Sequence, residues 1–401
     1  MLWLKLLLKI AGILLGLAVV GGGALVIAAG VLHNKAITLP APTGAYPIGR
    51  TVYDWVDETR PEIFNKNLAS KRELMALVWY PATQQPGLKP ADYLPLPWAQ
   101  AREADWGMAA WLMQRPQAVR THALAAANVA TDQSRYPVLI FMPGLGPLAA
   151  DYTTLIEDLA SHGYVIIALT PTYSSSIVVF ADGRVVKAVP EAGIPDDVAT
   201  VTDEKSRGDQ LMQTWAADAL FGLHQAEMLN GDPKSKFFNR LDLAHVGFLG
   251  HSFGGATAAQ ACRLDSRCKA GINWDGYPYG DVVQVGLKQP FMFIWSETPD
   301  QQDQFYQQAA RDIQAIYGTL PNGGYQLTIK GARHFNFTDL AVLYAPVIRL
   351  MGLTGKIGGA RGLRITGAYT VAFFDQYLKG VASPLLKGPS TVYPEVEFEA
   401  R

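Results

Sequence analysis

The stretch 246–259, which reads VGFLGHSFGGATAA, decides the fold of this chain. Its first residues form a short apolar run, which predicts a buried strand, and its alanines predict a closely packed helix. Between them, Gly250-His251-Ser252-Phe253-Gly254 matches G-x-S-x-G, a sharp turn that lifts a serine to the top of a sheet. The glycines let neighbouring backbone pass close by, and the amino end of the helix favours developing negative charge. Ser252 is therefore the candidate nucleophile.

Short apolar runs alternate with helical patterns along the rest of the chain. This alternation predicts a mostly parallel sheet with helices on both faces, which binds ligands beyond the carboxyl ends of its strands. The predicted strands are 74–80, 138–142, 165–169, 246–249, 271–274, 291–295 and 325–329. The predicted helices are 153–161, 209–229, 253–263, 301–317 and 366–378.

A serine hydroxyl needs a base and an acid, which follow the serine along the chain in the α/β-hydrolase fold. His334 is the only histidine after Ser252, and it lies in a loop after a predicted strand. It is therefore the candidate base. For the acid, Asp275 ends one strand, while Glu297 and Asp300 follow the next, so the pattern leaves these carboxylates open.

Two backbone N–H groups are expected to hold the oxyanion that forms when an ester carbonyl is attacked. One belongs to Phe253, the residue after the candidate nucleophile. The other should come from the loop after an early strand, and Phe141-Met142-Pro143-Gly144-Leu145-Gly146 is its natural source. We expect the Leu145 amide to be this second donor.

These motifs resemble the platelet-activating-factor acetylhydrolases of the plasma and intracellular single-chain type and their bacterial relatives. The resemblance covers about residues 74–380. It rests on the turns Gly144-Leu145-Gly146 and Gly250-His251-Ser252-Phe253-Gly254-Gly255. Three further segments also match, namely Leu159-Ala160-Ser161-His162-Gly163-Tyr164-Val165, Asn273-Trp274-Asp275 and His334-Phe335-Asn336-Phe337-Thr338-Asp339. Ile294-Trp295-Ser296-Glu297 is similar to a family stretch whose glutamate is not catalytic. The family's histidine before Gly-Leu-Gly is replaced here by Pro143.

The resemblance implies Ser252, Asp275 and His334 as the catalytic triad, and Leu145 and Phe253 as the oxyanion donors. It implies a metal-independent esterase without a cofactor, acting on short or oxidised acyl groups of phospholipid-like substrates. One alternative is a general membrane-anchored carboxylesterase or a dienelactone-hydrolase-like enzyme. Another is a non-catalytic binding protein of the same fold.

The amino-terminal segment differs from the rest of the chain. Residues 10–32 carry no charge, and a helix of that length spans about 34 Å, enough to cross a bilayer core. Residues 1–35 are therefore predicted to be a single-pass membrane anchor, although Ala28 and Ala29 also suit a signal-peptide cleavage site. Lys5 and Lys9 favour a cytoplasmic amino terminus, which places the catalytic domain in the periplasm or outside the cell.

Prolines and glycines predict a linker over 36–52, followed by the catalytic domain over 53–401. Residues 83–135 interrupt the strand–helix rhythm and predict an insertion. Its tryptophans Trp98, Trp106 and Trp111 either pack over a sheet edge or form an interfacial patch for a lipid-like substrate.

The bulk composition and the cysteines narrow the remaining possibilities. The net charge of −1 gives no indication of nucleic-acid binding, and 49% hydrophobic with 17% charged residues is typical of a globular chain. Cys262 and Cys268 are too few for a metal site. They are either joined by a disulfide or are two buried thiols.

Overall fold

The structure is a computed structural model that describes residue 23 and residues 30–65, 69–195, 200–297, 302–321 and 323–401. Its strands are, in chain order, β1 Ile37–Thr38, β2 Ile48–Pro61, β3 Lys71–Pro81, β4 Val119–Arg120, β5 Leu124–Ala125, β6 Tyr136–Met142, β7 Val165–Pro171, β8 Ile177–Val179, β9 Val185–Lys187, β10 Leu241–His251, β11 Cys268–Trp274, β12 Phe291–Ser296, β13 Gly324–Ile329 and β14 Val396–Ala400.

Within the described residues, ten strands form one mixed sheet in the order β14-β13-β12-β11-β10-β6-β7-β3-β2-β5. The central strands β7, β6, β10, β11, β12 and β13 are parallel to one another. Antiparallel strands flank them, with β14 beside β13 and β3 beside β7. The parallel strands therefore end at one common edge of the sheet, where loops from different parts of the chain meet.

Helices cover both faces of the sheet. They are α1 Leu96–Trp106, α2 Thr153–Ser161, α3 Val201–Gly231, α4 Phe253–Leu264, α5 Val282–Val285, α6 Gln304–Thr319, α7 Leu340–Leu343, α8 Ala345–Leu350 and α9 Gly359–Leu378. Buried side chains of α1, α2 and α9 belong to one hydrophobic cluster, and those of α3, α4 and α6 belong to the other. The chain is thus a three-layer sandwich with the sheet in the middle.

Strand β6 shows why these runs are apolar throughout. Leu139 and Phe141 belong to the cluster on one face, while Val138, Ile140 and Met142 belong to the cluster on the other. All five are at most 1% exposed. A strand buried on both faces needs apolar side chains at every position, which is the pattern that predicts a central parallel strand.

The predicted α/β-hydrolase fold is confirmed, but three strands of the main sheet, β2, β5 and β14, were not predicted from the sequence. Strand β2 begins at Ile48, so the sheet takes in the end of the segment 36–52 that was predicted to be a linker. The earlier part of that segment also packs against the domain, because Leu39 is buried and the Thr43 hydroxyl donates a hydrogen bond to Asp158. Prolines favour extended backbone, and here that backbone runs along the domain.

The insertion 83–135 combines both interpretations of its tryptophans. Trp98 on α1 is only 7% exposed and packs into the core, and Trp106 packs against that core as well. Trp111 is 58% exposed and neighbouring Met108 is 93% exposed. The insertion therefore packs on the core through helix α1, and the residues that follow α1 expose apolar side chains at the surface.

Cys262 and Cys268 form a disulfide. The bond links the end of α4, the helix after Ser252, to the start of β11, the strand that leads to Asp275. The structure thus decides between the two alternatives left open by the sequence.

The predicted membrane anchor lies mostly outside the described residues. Of residues 1–35, only residue 23 and residues from 30 onward are described, and residues 30–34 are helical. In the part of the chain that the structure describes, no helix has the length and apolar character needed to span a membrane.

Candidate active site

Ser252 sits on a strained turn between β10 and α4. Its backbone has φ +55° and ψ −126°, a conformation that residues with a side chain rarely adopt. The flanking glycines make room for it, because a Cβ at Gly254 would lie 2.1 Å from the carbonyl oxygen of Met142. A Cβ at Gly250 would lie 2.3 Å from the carbonyl oxygen of Gly254. The G-x-S-x-G pattern is therefore a steric requirement of this turn.

Asp275 and His334 meet at the same edge of the sheet. The Nδ1 atom of His334 lies 2.7 Å from Oδ2 of Asp275. The other carboxylate oxygen accepts a hydrogen bond from the Ser296 N–H at 2.8 Å, and the Ser296 hydroxyl donates to Oδ2 at 2.9 Å. Asp275 is 8% exposed, so this carboxylate is held by three donors in a nearly dry setting.

These contacts keep the Asp275 carboxyl ionised. Burial alone would raise its pKa, but the hydrogen bond and charge of His334, together with the Ser296 N–H, outweigh burial and bring the pKa below its ordinary value. An ionised carboxylate on Nδ1 leaves the other ring nitrogen, Nε2, free to accept a proton. Ser252 and His334 both lie in the described part of the chain and line one cavity, but no hydrogen bond joins Ser252 Oγ to the His334 ring.

The alternative acids are placed differently. Glu297 accepts a hydrogen bond from the Gly331 N–H at 2.9 Å, and its own N–H donates to the Ala332 carbonyl. It therefore braces the start of the loop that carries His334 without touching the imidazole. Asp300 lies outside the described residues.

Both expected oxyanion donors line the cavity. Leu145 follows β6 and Phe253 opens α4, so the two N–H groups come from two different segments that line one cavity. Neither N–H has a hydrogen-bond acceptor within the described ranges. Pro143, in the loop that carries Leu145, packs closely against the serine turn, since its carbonyl oxygen would lie 2.2 Å from a Cβ at Gly254.

A buried series of hydrogen bonds beneath the site is not evident from the sequence. The Gly144 N–H donates to the Tyr152 hydroxyl at 3.0 Å, and that hydroxyl lies 2.9 Å from Nδ1 of His251. Nε2 of His251 lies 2.9 Å from the carbonyl oxygen of His334. This series thus joins the loop before Leu145 to the loop that carries the candidate base.

The tautomer of His251 follows from its partners. A carbonyl oxygen only accepts hydrogen bonds, so Nε2 must carry the proton and donate it to the carbonyl of His334. Burial and the neighbouring His334 hold the pKa of His251 well below its ordinary value, so the ring is neutral and Nδ1 accepts from Tyr152. His251 stands in the quoted motif, but its role depends on partners that are distant along the chain.

The cavity beside Ser252, called the Ser252 cavity below, has a volume of about 720 Å³. Besides the site residues, six aromatic side chains are among those that line it, namely Tyr277, Tyr279, Trp295, Phe305, Tyr306 and Phe335. The Tyr279 hydroxyl donates to Glu204 at 2.6 Å. This volume suits a small acyl group together with part of an alcohol.

One group of side chains has the composition of a metal site. The ligand atoms of His251, Asp275 and His334 lie within 4.8 Å of one another. Their hydrogen bonds compete with such a role, because both His251 nitrogens and Nδ1 of His334 already have protein partners. The donor set is therefore arranged for proton transfer.

Comparison with known proteins places the chain in a family. The family described as platelet-activating factor acetylhydrolase, isoform II, matches residues 32–204 and 218–383. A protein of Arthroderma benhamiae named "Probable 1-alkyl-2-acetylglycerophosphocholine esterase" is 27% identical over 394 residues, covering 91% of this chain and 94% of that protein. The platelet-activating factor acetylhydrolase of Cavia porcellus is 28% identical over 263 residues, covering 61% of this chain and 58% of that protein.

A solved structure is also similar. The ferulic acid esterase from Streptomyces cinnamoneus matches with a TM-score of 0.73 and 28% identity, over 91% of this chain and 99% of that one. The sheet, the strained serine turn and the Asp–His pair define an ester hydrolase of the α/β-hydrolase class. The chain belongs to the platelet-activating factor acetylhydrolase, isoform II, family, which confirms the resemblance found in its motifs.

Proposed function

We propose that this chain releases short or oxidised acyl groups from phospholipid-like esters, with Ser252, His334 and Asp275 as its catalytic triad. The observation that carries this proposal is the 2.7 Å contact between His334 and a buried Asp275 beside the strained serine turn. The two relatives named above, an alkylacetylglycerophosphocholine esterase and a platelet-activating factor acetylhydrolase, support the choice of substrate.

The proposed reaction has two steps. Nε2 of His334 takes the proton of the Ser252 hydroxyl as its oxygen attacks the ester carbonyl, and the N–H groups of Leu145 and Phe253 hold the oxyanion. His334 then gives the proton to the departing alcohol, which leaves an acyl group on Ser252. A water molecule, deprotonated by His334, attacks this acyl-enzyme, and the acid is released as the proton returns to Ser252.

A probe experiment tests the chemistry. The purified full-length protein, in mild detergent, is treated with a fluorophosphonate, and the labelled peptide is identified by mass spectrometry. We expect labelling at Ser252, and Ser252→Ala should lower kcat by at least about 10⁴-fold while the fold is kept. Labelling elsewhere, or wild-type activity in Ser252→Ala, would show that another nucleophile acts, and no labelling would favour a binding protein.

A substrate panel tests the specificity. Phospholipids with an acetyl or a long acyl group at the central glycerol carbon are compared with nitrophenyl esters. The proposal predicts a higher kcat/KM for the acetyl phospholipid than for the long-chain one. Activity confined to the nitrophenyl esters would instead indicate a general carboxylesterase.

The aromatic wall of the Ser252 cavity favours a second candidate function. Tyr277, Tyr279, Trp295 and Tyr306 offer flat apolar surfaces on which an aromatic acyl group could stack. The similar solved structure is named as a ferulic acid esterase. Adding methyl ferulate to the panel distinguishes this candidate, because it would then be hydrolysed faster than the acetyl phospholipid.

We also propose that residues 1–35 anchor the enzyme to a membrane, with the catalytic domain in the periplasm or outside the cell. The proposal is supported by the uncharged run 10–32 and by the surroundings of the segment where the described chain resumes. His33 stacks on Trp111 with ring centroids 5.9 Å apart, and its Nδ1 lies 2.7 Å from the Met113 carbonyl oxygen. The apolar segment would thus reach the domain beside the exposed Met108 and Trp111.

A further inference from the structure

A second cavity adjoins the Ser252 cavity, and cations predominate among its charged lining residues. Its volume is about 530 Å³, and Arg333, Arg349 and Lys356 line it. Glu297, Arg333 and Gly352 line both cavities, so the two share a wall. We call this second space the cationic cavity.

None of the three cations of this cavity forms an ion pair with a carboxylate among the described residues. The Arg333 guanidinium is partly buried and donates from Nη1 to the Gly352 carbonyl at 2.6 Å, which leaves most of its N–H groups available. The side chains of Arg349 and Lys356 are exposed and form no ion pair with any residue in the described ranges. Glu297 is the one carboxylate among the described lining residues, and its Oε2 already accepts from the Gly331 N–H.

Separate elements bring these cations together. Arg333 lies on the loop after β13, Arg349 lies in the last turn of α8, and Lys356 lies in the loop before α9. The stem of Lys356 is packed beside Gly331, since a Cβ there would lie 3.2 Å from Cγ of Lys356. Among the described residues, three cations and a single carboxylate, Glu297, line the cavity, so an excess of positive charge remains that a bound anion would offset.

We infer that the cationic cavity binds the phosphate of a glycerophospholipid while its ester lies at Ser252. The inference rests on the proposed function and deepens it. Arg333 directly precedes His334 and stands on the shared wall, and in a glycerophospholipid the phosphate is only a few bonds from the ester at the central carbon. A guanidinium fork matches the geometry of phosphate oxygens, and Arg349 and Lys356 add charge behind it.

The experiment that tests this inference removes the two cations that are remote from the reacting atoms. Full-length wild type and the double variant R349Q/K356Q are assayed on two soluble substrates, a short-chain alkyl acetyl glycerophosphocholine and the matching alkyl acetyl glycerol, which lacks the phosphate. K234Q/K269Q, which removes two exposed lysines elsewhere, is the matched control. Arg333 stays in place because it neighbours His334.

We expect the double variant to lose about tenfold in kcat/KM on the phosphate-bearing substrate, mainly through KM, since each exposed ion pair contributes a factor of up to about five. On the substrate without phosphate it should match wild type, and the control variant should match wild type on both. Added salt should weaken the wild-type preference for the phosphate-bearing substrate, because these charges are exposed.

Other outcomes separate the possible failures. If the double variant keeps the wild-type ratio between the two substrates, the cationic cavity does not bind the headgroup phosphate. A further outcome is that the double variant keeps the wild-type ratio, but inorganic phosphate inhibits wild type more than sodium chloride of equal ionic strength does. The cavity would then bind free phosphate instead of the headgroup phosphate. If wild type hydrolyses neither substrate, the proposed function itself fails.

Discussion

Ser252, Asp275 and His334 reach one cavity because each follows a different parallel strand of the same sheet. Strands β10 and β11 are neighbours, and β12 lies between β11 and β13. The end of β12 supplies Ser296, whose N–H and hydroxyl each donate to one oxygen of the Asp275 carboxylate. The site is therefore built from loops that the sheet keeps at fixed distances, which allows a preorganised proton path.

The choice between the candidate acids is testable at Asp275. Asp275→Asn should lower kcat by about 10³–10⁴-fold on a nitrophenyl ester, since the amide no longer stabilises a protonated His334. Glu297→Gln is the comparison, because glutamine keeps an acceptor for the Gly331 N–H. Its kcat should stay within a few-fold of wild type. A larger loss in Glu297→Gln than in Asp275→Asn would reverse the assignment.

The buried series of hydrogen bonds through Tyr152 gives a second residue-level prediction. Tyr152→Phe leaves the Gly144 N–H and Nδ1 of His251 without their partner, which should lower kcat about tenfold with little change in KM. It should also destabilise the fold by about 1–3 kcal/mol. Tyr369→Phe is the matched control, because the Tyr369 hydroxyl is buried and has no hydrogen-bond partner among the described residues. Steady-state kinetics and urea unfolding measure both effects, and equal kcat values for the two variants would contradict a positioning role.

Sequence could predict the site residues whose position follows from chain order and local sterics. The serine turn is a local event, and His334 is the only histidine after it. The contact between Asp275 and His334 depends on strand order, so the pattern alone left Glu297 open. The roles of Tyr152 and Ser296 arise from contacts between distant segments, which one sequence does not display.

Among the elements, the short turn His334–Phe337 is tied to helix α2 by buried polar groups. The Asp339 N–H donates to the Asp151 carbonyl at 2.7 Å, and an oxygen of the Asp339 carboxyl group accepts from the Thr154 N–H at 3.2 Å. Asp151 itself forms a buried pair with Arg102 of α1. The insertion, α2 and the segment carrying the candidate base are thus held in one polar cluster.

This cluster should make stability depend on pH. Burial, together with Asp151 and Glu157, raises the pKa of Asp339 well above its ordinary value. The folded chain therefore holds a proton that the unfolded chain releases, and stability falls as pH rises from the ordinary aspartate pKa towards the raised one. Asp339→Asn, which cannot ionise, should be more stable than wild type at neutral pH, and this difference should shrink as the pH falls towards the ordinary aspartate pKa and stay constant below it.

Chemical unfolding at several pH values measures this effect. Asp92→Asn, which changes an exposed aspartate, serves as the control and should follow the wild-type profile. A constant difference between Asp339→Asn and wild type across the pH range would contradict a raised pKa at this carboxyl.

Element prediction worked best where one physical requirement dominates. Helix α2 begins and ends where the sequence predicts, and the central strands were found because they are buried on both faces. Strand β2 escaped because it lies beside β3 near the sheet's margin and alternates buried and exposed positions among polar residues. Residues 83–135 show no regular alternation of strand-like and helix-like patterns, so the sequence did not predict how this insertion packs.

On the scale of the whole molecule, two adjoining segments near the site each present exposed apolar side chains. Trp106 and Tyr344 pack edge to face with ring centroids 5.5 Å apart. Beyond Trp106 the chain exposes Met108 and Trp111, and beyond Tyr344 it exposes Leu350 and Met351, which are 90% and 64% exposed. The next residues, Gly352 and Leu353, line the Ser252 cavity. A lipid surface against these side chains would lie near the mouth of the site.

This arrangement predicts a loss of interfacial binding in Met108→Ser/Trp111→Ser. In the full-length protein, hydrolysis of an acetyl phospholipid presented in vesicles should fall several-fold, because two apolar contacts with the lipid are lost. Hydrolysis of the soluble short-chain analogue should be unaffected. Met228→Ser/Leu264→Ser removes two comparably exposed side chains of α3 and α4, which cover the face opposite α1. Equal losses in the two double variants on vesicles would argue against a specific lipid-facing surface.

The strained backbone at Ser252 has a cost that the active enzyme cannot remove. Glycine adopts φ +55° with ψ −126° without a clash, whereas a residue with a Cβ is held there by the rest of the fold. Ser252→Gly should therefore raise the melting temperature by a few degrees while abolishing activity, and calorimetry beside Ser252→Ala would measure the difference. A melting temperature no higher than that of Ser252→Ala would mean that the turn carries no strain. If the turn is strained, selection for thermal stability alone would replace Ser252 by glycine and so remove the nucleophile. Thermal stability and catalytic activity therefore oppose each other at this one position.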